Sequence, residues 1–106
     1  MPLPGTLLYL DSSAIVKLVF AEPQSMALRE LLRSWPERVS SVIAAVEVSR
    51  AARRVGASAA RRAEEVVTRL GLIDLDDDVI QRASKLRPPE LRTLDAIHLA
   101  TALSLG

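Results

Sequence analysis

The stretch Leu7-Leu8-Tyr9-Leu10-Asp11-Ser12-Ser13-Ala14 decides how this chain folds. An apolar, β-prone run that stops on a carboxylate and two hydroxyls reads as a buried strand over residues 6–10, with Asp11 at its carboxyl end. In open α/β sheets that edge is where ligands and reactive groups gather. Ile15 to Phe20 turn directly into a short helix over the end of the strand. By itself, an acid in this position serves equally well as a turn or cap residue.

Outward from that stretch, Glu22-Pro23 restarts the chain, and Leu28, Leu31, Leu32 and Trp35 recur at helical spacing until Pro36. Arg38 to Ala44 is β-prone and predicts a second strand. A helix follows from about Ala45 to Val55 and closes on Gly56. Ser58 is the expected N-cap of the next helix, and Gly71 its expected C-cap. Leu72 to Leu75 predicts a third strand, and Asp76-Asp77-Asp78 loads acid onto the start of a helix that Pro88-Pro89 breaks. Thr93 is the expected cap of a last helix, Leu94 to Leu105, that is apolar on nearly every face and should be buried on several sides. The order β-α-α-β-α-α-β-α-α predicts right-handed crossovers and a parallel sheet with helices on both faces, an α/β fold in one domain spanning 1–106.

Composition narrows the class of function. With 49% hydrophobic residues but one each of Trp, Tyr and Phe, the core must be aliphatic and alanine-rich. A net charge of +1 gives no global mandate for nucleic-acid binding, so any steering must come from local asymmetry. The chain has no cysteine, which excludes disulfides and thiolate metal sites and suits a reducing cytoplasm. No apolar stretch approaches the roughly 20 residues of a membrane span, and Met1-Pro2-Leu3-Pro4-Gly5 lacks the marks of a secretory signal. The chain therefore reads as cytoplasmic, with no membrane partner.

Two further acids stand in apolar settings, Glu47 among Ala44, Ala45, Val46 and Val48, and Asp95 at the start of the last helix. An unpaired acid on an apolar helix face is costly to bury, whereas Asp95 could simply complement the helix dipole. All three acids belong to the carboxyl edge of the sheet or to helix starts facing it. Three carboxylates brought together repel one another unless a cation sits among them. Oxygen donors without His or Cys favour Mg²⁺ or Mn²⁺ over zinc. His98 either fills space on a buried helix or orients a carboxylate, and Tyr9 reads as core. Six arginines between Val48 and Leu70, with Arg50, Arg53 and Arg54 on the Glu47 helix, make either a solvated face or a ridge for phosphates.

Tyr9-Leu10-Asp11-Ser12-Ser13-Ala14, Ser41 ahead of Glu47, and Leu94-Asp95-Ala96-Ile97-His98-Leu99-Ala100-Thr101-Ala102 together resemble the PIN-domain family, and within it the VapC-type toxins of toxin–antitoxin pairs. The resemblance implies a three-layer α/β/α fold and a Mg²⁺- or Mn²⁺-dependent ribonuclease whose products carry a 5′-phosphate and a 3′-hydroxyl. It makes Asp11 and Asp95 the principal metal-binding acids and Glu47 the third, so that these three would do the catalytic work. With the charge pattern, it places Ser13, Ser41 and Arg50 beside the metal or on the path of the substrate. The implied partners are an RNA substrate, a cognate antitoxin and a second copy in a homodimer.

The sequence also departs from that family. Such domains continue with a strand, a helix and often a fifth strand, in sheet order 3-2-1-4-5, and the added strand commonly ends in a fourth acid. No candidate for that acid follows Leu105. The expectation is a PIN-like domain incomplete at its carboxyl end, with about three strands, read as a shortened gene product or a fragment. Its first strand becomes an edge and its last helix loses a covering surface, so it should be marginally stable or depend on a dimer or partner chain. A non-enzymatic alternative follows, a chain that only binds an antitoxin or pairs with itself. Asp11 as a phosphoryl-accepting nucleophile, as in haloacid-dehalogenase-like phosphatases, fits poorly, since Ser13 stands where a second aspartate is needed. Receiver domains want the acceptor Asp on the third strand and a lysine on the last, and neither pattern is present.

Overall fold

The computed structural model describes residues 6–105. Met1 to Gly5, the segment read above for a secretory signal, and Gly106 lie outside the described residues. Three parallel strands, β1 (Leu8–Tyr9), β2 (Arg38–Ser41) and β3 (Gly71–Ile73), form a sheet in the order β1-β2-β3. Leu8 lies opposite Arg38 and Tyr9 opposite Val39, while Val39, Ser40 and Ser41 lie opposite Gly71, Leu72 and Ile73. Six helices flank the sheet: α1 (Ser12–Val19), α2 (Ser25–Leu32), α3 (Val42–Val55), α4 (Ala57–Thr68), α5 (Asp77–Lys85) and α6 (Thr93–Ser104). The expected order of elements and the parallel sheet are both present.

Period-two alternation divides the layers at β1. Leu8 and Leu10 join the main core with Ile15 and Val19 of α1, Leu32 of α2, Ala44, Val48 and Ala52 of α3, and Ala59 and Ala63 of α4. Tyr9, one residue out of phase, turns instead to α6, where its hydroxyl meets His98. On that side α5 packs against α6, burying Val79, Ala96, Ala100 and Thr101. Both layers are built from alanines and aliphatic side chains, as the scarcity of aromatics predicts. The sheet order leaves β1 at an edge. α6 keeps Leu94, Leu99 and Leu103 about half exposed, at 45%, 45% and 52%, so its all-round apolar character outruns the burial the described residues give it.

The element boundaries differ from expectation where a cap or a close contact overrides propensity. β2 ends at Ser41 rather than Ala44, because the Ser41 hydroxyl accepts from the Ile43 N–H at 3.1 Å and starts α3 through β-branched Val42 and Ile43. α2 begins at Ser25, not at Glu22-Pro23. Ser25 is buried, its hydroxyl donating to the Phe20 carbonyl and accepting from the Glu22 N–H. Trp35 lies beyond that helix and Leu31 is exposed. Arg92, not Thr93, is the N-cap of α6.

Gly56, not Ser58, is the N-cap of α4, and it is also the C-cap of α3. Its φ of 153° is what turns one helix into the next with only Gly56 itself between them. Gly71 is the first residue of β3 rather than a helix cap. A Cβ there would stand 3.2 Å from Val39 Cγ1 on the neighbouring strand, so the sheet pairing accounts for the glycine.

A Cβ at Gly56 would meet nothing within 4 Å. Gly56→Ala is therefore expected to destabilise through backbone strain alone, by about 1–3 kcal/mol in urea unfolding. Met26→Ala, at a residue 83% exposed, should stay within about 0.5 kcal/mol of the parent.

Candidate active site

Asp11 follows the edge strand and is the N-cap of α1. Its Oδ1 accepts from the Ala14 N–H at 2.9 Å and from the Ser13 hydroxyl at 2.8 Å. Both bonds go to one oxygen, so Oδ2 is left without a hydrogen bond among the described residues, at the surface. Ser13, expected near a metal, thus braces the Asp11 cap. Ser41 is fully buried and spends its hydroxyl capping α3. Asp95 is exposed in the first turn of α6.

Glu47 sits in the second turn of α3 with its side chain 26% exposed. Its Oε1 accepts from the Ser12 hydroxyl and lies 2.8 Å from His98 Nε2. Ser12 Oγ is 3.0 Å from the same nitrogen. On the far side of the ring, His98 Nδ1 lies 2.7 Å from the Tyr9 hydroxyl, and the two rings meet edge to face with centroids 5.9 Å apart. The knot joins β1, α1, α3 and α6, the elements that carry or adjoin Asp11, Glu47 and Asp95. Asp95 precedes His98 by three residues and so lies on the same side of α6, one turn earlier.

Ser12, His98 and Glu47 match a nucleophilic triad in composition but not in wiring. Such a triad sets hydroxyl and acid on opposite ring nitrogens. Here both crowd Nε2, while Nδ1 is occupied by Tyr9. The Ser12 proton goes to the Glu47 carboxylate, so the imidazole is not placed as its base in the manner of such a triad.

Of the two readings offered for His98, the structure shows a buried ring that holds a carboxylate. Two members of the knot escaped sequence reasoning. Tyr9 was expected to be core, and Ser13 rather than Ser12 was expected at the site. The signal for Tyr9 is its phase: in a strand whose Leu8 and Leu10 face the main core, a lone tyrosine must face the other layer. For Ser12 the signal is the cap, since an N-cap Asp11 makes Ser12 the first helical residue.

Among the described residues, no group of three or more acidic or imidazole side chains is placed to hold a metal ion. Glu47 is instead committed to Ser12 and His98, and Asp11 and Asp95 are the exposed carboxylates beside that knot. Their oxygen-only chemistry, with Asp11 Oδ2 available, fits a hard divalent cation. Arg50, Arg53 and Arg54 stand exposed along α3, and Arg53 and Arg61 flank a groove between α3 and α4. Not every arginine joins such a ridge: Arg62 Nε donates to the Val19 carbonyl, and Arg38 donates to the carbonyls of Trp35 and Leu32.

The fold and these residues define a three-layer α/β/α protein with acids at the ends of parallel strands and in the early turns of helices. A family model described as PIN domain matches residues 8–106. Similar curated proteins, from Mycobacterium tuberculosis, include Ribonuclease VapC46, 52% identical over 99 residues that span 93% of this chain and 76% of that protein. Ribonuclease VapC35 is 38% identical over 102 residues, spanning 94% of this chain and 76% of that protein. The chain belongs to the PIN domain family, as a VapC-like member. A solved toxin–antitoxin complex from Klebsiella pneumoniae shares the fold, with a TM-score of 0.77 at 24% identity over 94% of this chain and 80% of that one.

Burial pushes the Tyr9 phenol above its usual value of 10.0, and the nearby Asp11 charge adds to the shift, while the neighbouring polar groups of Ser40, Thr101 and the Ser41 backbone oppose it. Between the unfolded and folded values the unfolded chain binds fewer protons, so Tyr9 costs stability as pH rises above about 10. Comparing unfolding of the parent and Tyr9→Phe across that range should show a steeper alkaline loss in the parent. Tyr9 is the chain's one tyrosine, so ultraviolet titration of the folded phenol reads its shift directly.

Proposed function

We propose that this chain is a metal-dependent endoribonuclease, the toxin of a toxin–antitoxin pair, hydrolysing RNA phosphodiester bonds. The observation that carries the reading is the knot of Ser12, Glu47 and His98, which ties together the three segments bearing Asp11, Glu47 and Asp95 at one edge of the sheet. The ribonuclease names of relatives up to 52% identical support the activity, and the structural neighbour, a toxin–antitoxin complex, supports the partner. Asp11 and Asp95 would hold a Mg²⁺ or Mn²⁺ ion, which when bound supplies Lewis acidity toward the phosphate oxygens and an acidified water. Glu47 completes the acidic site from α3, with its carboxylate fixed in direction. Arg50 and its neighbours on α3 supply positive charge for the RNA backbone, whose phosphates provide most sequence-independent affinity. The exposed leucines of α6 support association with a second copy. An RNA substrate and a cysteine-free chain suit the cytoplasm.

Asp11→Asn is a discriminating substitution, because asparagine caps a helix about as well as aspartate and so preserves α1. Asp11→Asn and Asp95→Asn are each expected to lower cleavage of a structured RNA by at least about a hundredfold, with thermal unfolding little changed. A chelator should abolish cleavage in the parent, and Mg²⁺ or Mn²⁺ should restore it. Cleavage that survives both substitutions and the chelator would overturn the proposal.

A further inference from the structure

We infer that Tyr9 and His98 are positioning residues that fix the direction of the Glu47 carboxylate. What Glu47 then does rests on the ribonuclease reading above, but its positioning does not.

An ionised carboxylate has no hydrogen to give. Ser12 supplies one proton to Oε1, and the 2.8 Å approach of His98 Nε2 to the same oxygen requires a second proton, on that nitrogen. In the neutral ring Nδ1 is then bare and accepts the Tyr9 O–H at 2.7 Å. The donors therefore run in one direction, Tyr9 to His98 to Glu47, with Ser12 meeting them at the same oxygen. A ring flipped by half a turn would set carbon against both the tyrosine hydroxyl and the carboxylate. His98 is only 8% exposed, so water could not make good those losses. As the structure stands, no buried side-chain polar atom among the described residues lacks a partner.

The geometry explains why the chain of donors matters. Glu47 is on α3, and each group that holds it comes from elsewhere: Ser12 from α1, His98 from α6, and Tyr9 behind His98 from β1. Two donors on Oε1 leave Oε2 as the oxygen free to act, with its direction set by α1 and α6 rather than by the flexible glutamate side chain. Without that hold a glutamate gains rotamer freedom and the site loses its preorganisation.

The test uses the full chain labelled with ¹⁵N. His98 is its single histidine, so the imidazole signals need no assignment. Long-range proton–nitrogen spectra should show a protonated Nε2 and a bare Nδ1 in the parent. In Tyr9→Phe, which removes one hydroxyl and keeps the ring, the two nitrogen shifts should move toward an averaged tautomer. An averaged ring in the parent, or a spectrum unchanged in Tyr9→Phe, overturns the inference. Kinetically, Tyr9→Phe should lower kcat by about ten- to a hundredfold with KM for RNA unchanged. His98→Gln, which keeps an N–H for Glu47, should recover part of the activity that His98→Ala loses. Equal loss in both His98 variants, or a rise in KM alone, counts against positioning. A parent that cleaves no RNA overturns the ribonuclease reading, while the ring spectrum still decides whether His98 holds Glu47.

Discussion

A carboxylate three-quarters withdrawn from water must be met by donors, and in this chain the donors for Glu47 come from other segments. Alone among alanines and valines on α3, Glu47 would be a liability of several kcal/mol. Ser12 and His98 remove that cost, and they can do so only if α1 starts immediately after β1 and α6 crosses the same sheet. The hydrogen-bonded knot thus sets a condition on the fold. The parallel sheet satisfies it, because successive right-handed crossovers return each helix start to one edge.

β1 shows how little sequence such an arrangement needs. It has only two paired residues, yet their alternation sends Leu8 into the aliphatic core and Tyr9 toward α6. The next polar residue, Asp11, ends the extended backbone and begins the helix by accepting the Ala14 N–H. One short stretch therefore supplies an anchor in each layer, a helix cap and a surface carboxylate.

Much of this was legible beforehand. The strand ending at Asp11, the order of elements and the three acids follow from hydrophobic periodicity and from the cost of isolated charge in apolar surroundings. Periodicity is silent on how side chains pair. Ser41 looked like strand or site and is a buried cap, and Val42 and Ile43 looked like strand and are helix, since a cap bond outweighs a preference of a few tenths of a kcal/mol. Tyr9 and Ser12 were hidden for another reason. Their roles depend on His98, 89 and 86 positions away, and no local pattern carries a contact across that separation.

The three acids are also stabilised by different means, and the difference bears on what each can do. Asp11 is held by a helix N-terminus through one oxygen, and Asp95 lies in the first turn of α6, where the dipole favours negative charge. Neither device consumes the whole carboxylate. Glu47 is instead held by side-chain donors on Oε1, a firmer and more directional restraint. The outer pair therefore keeps part of each carboxylate exposed, while the inner acid is held in one orientation. Each of the three charges is thus partly stabilised by its own surroundings, and among the described residues they do not form one cluster of acids.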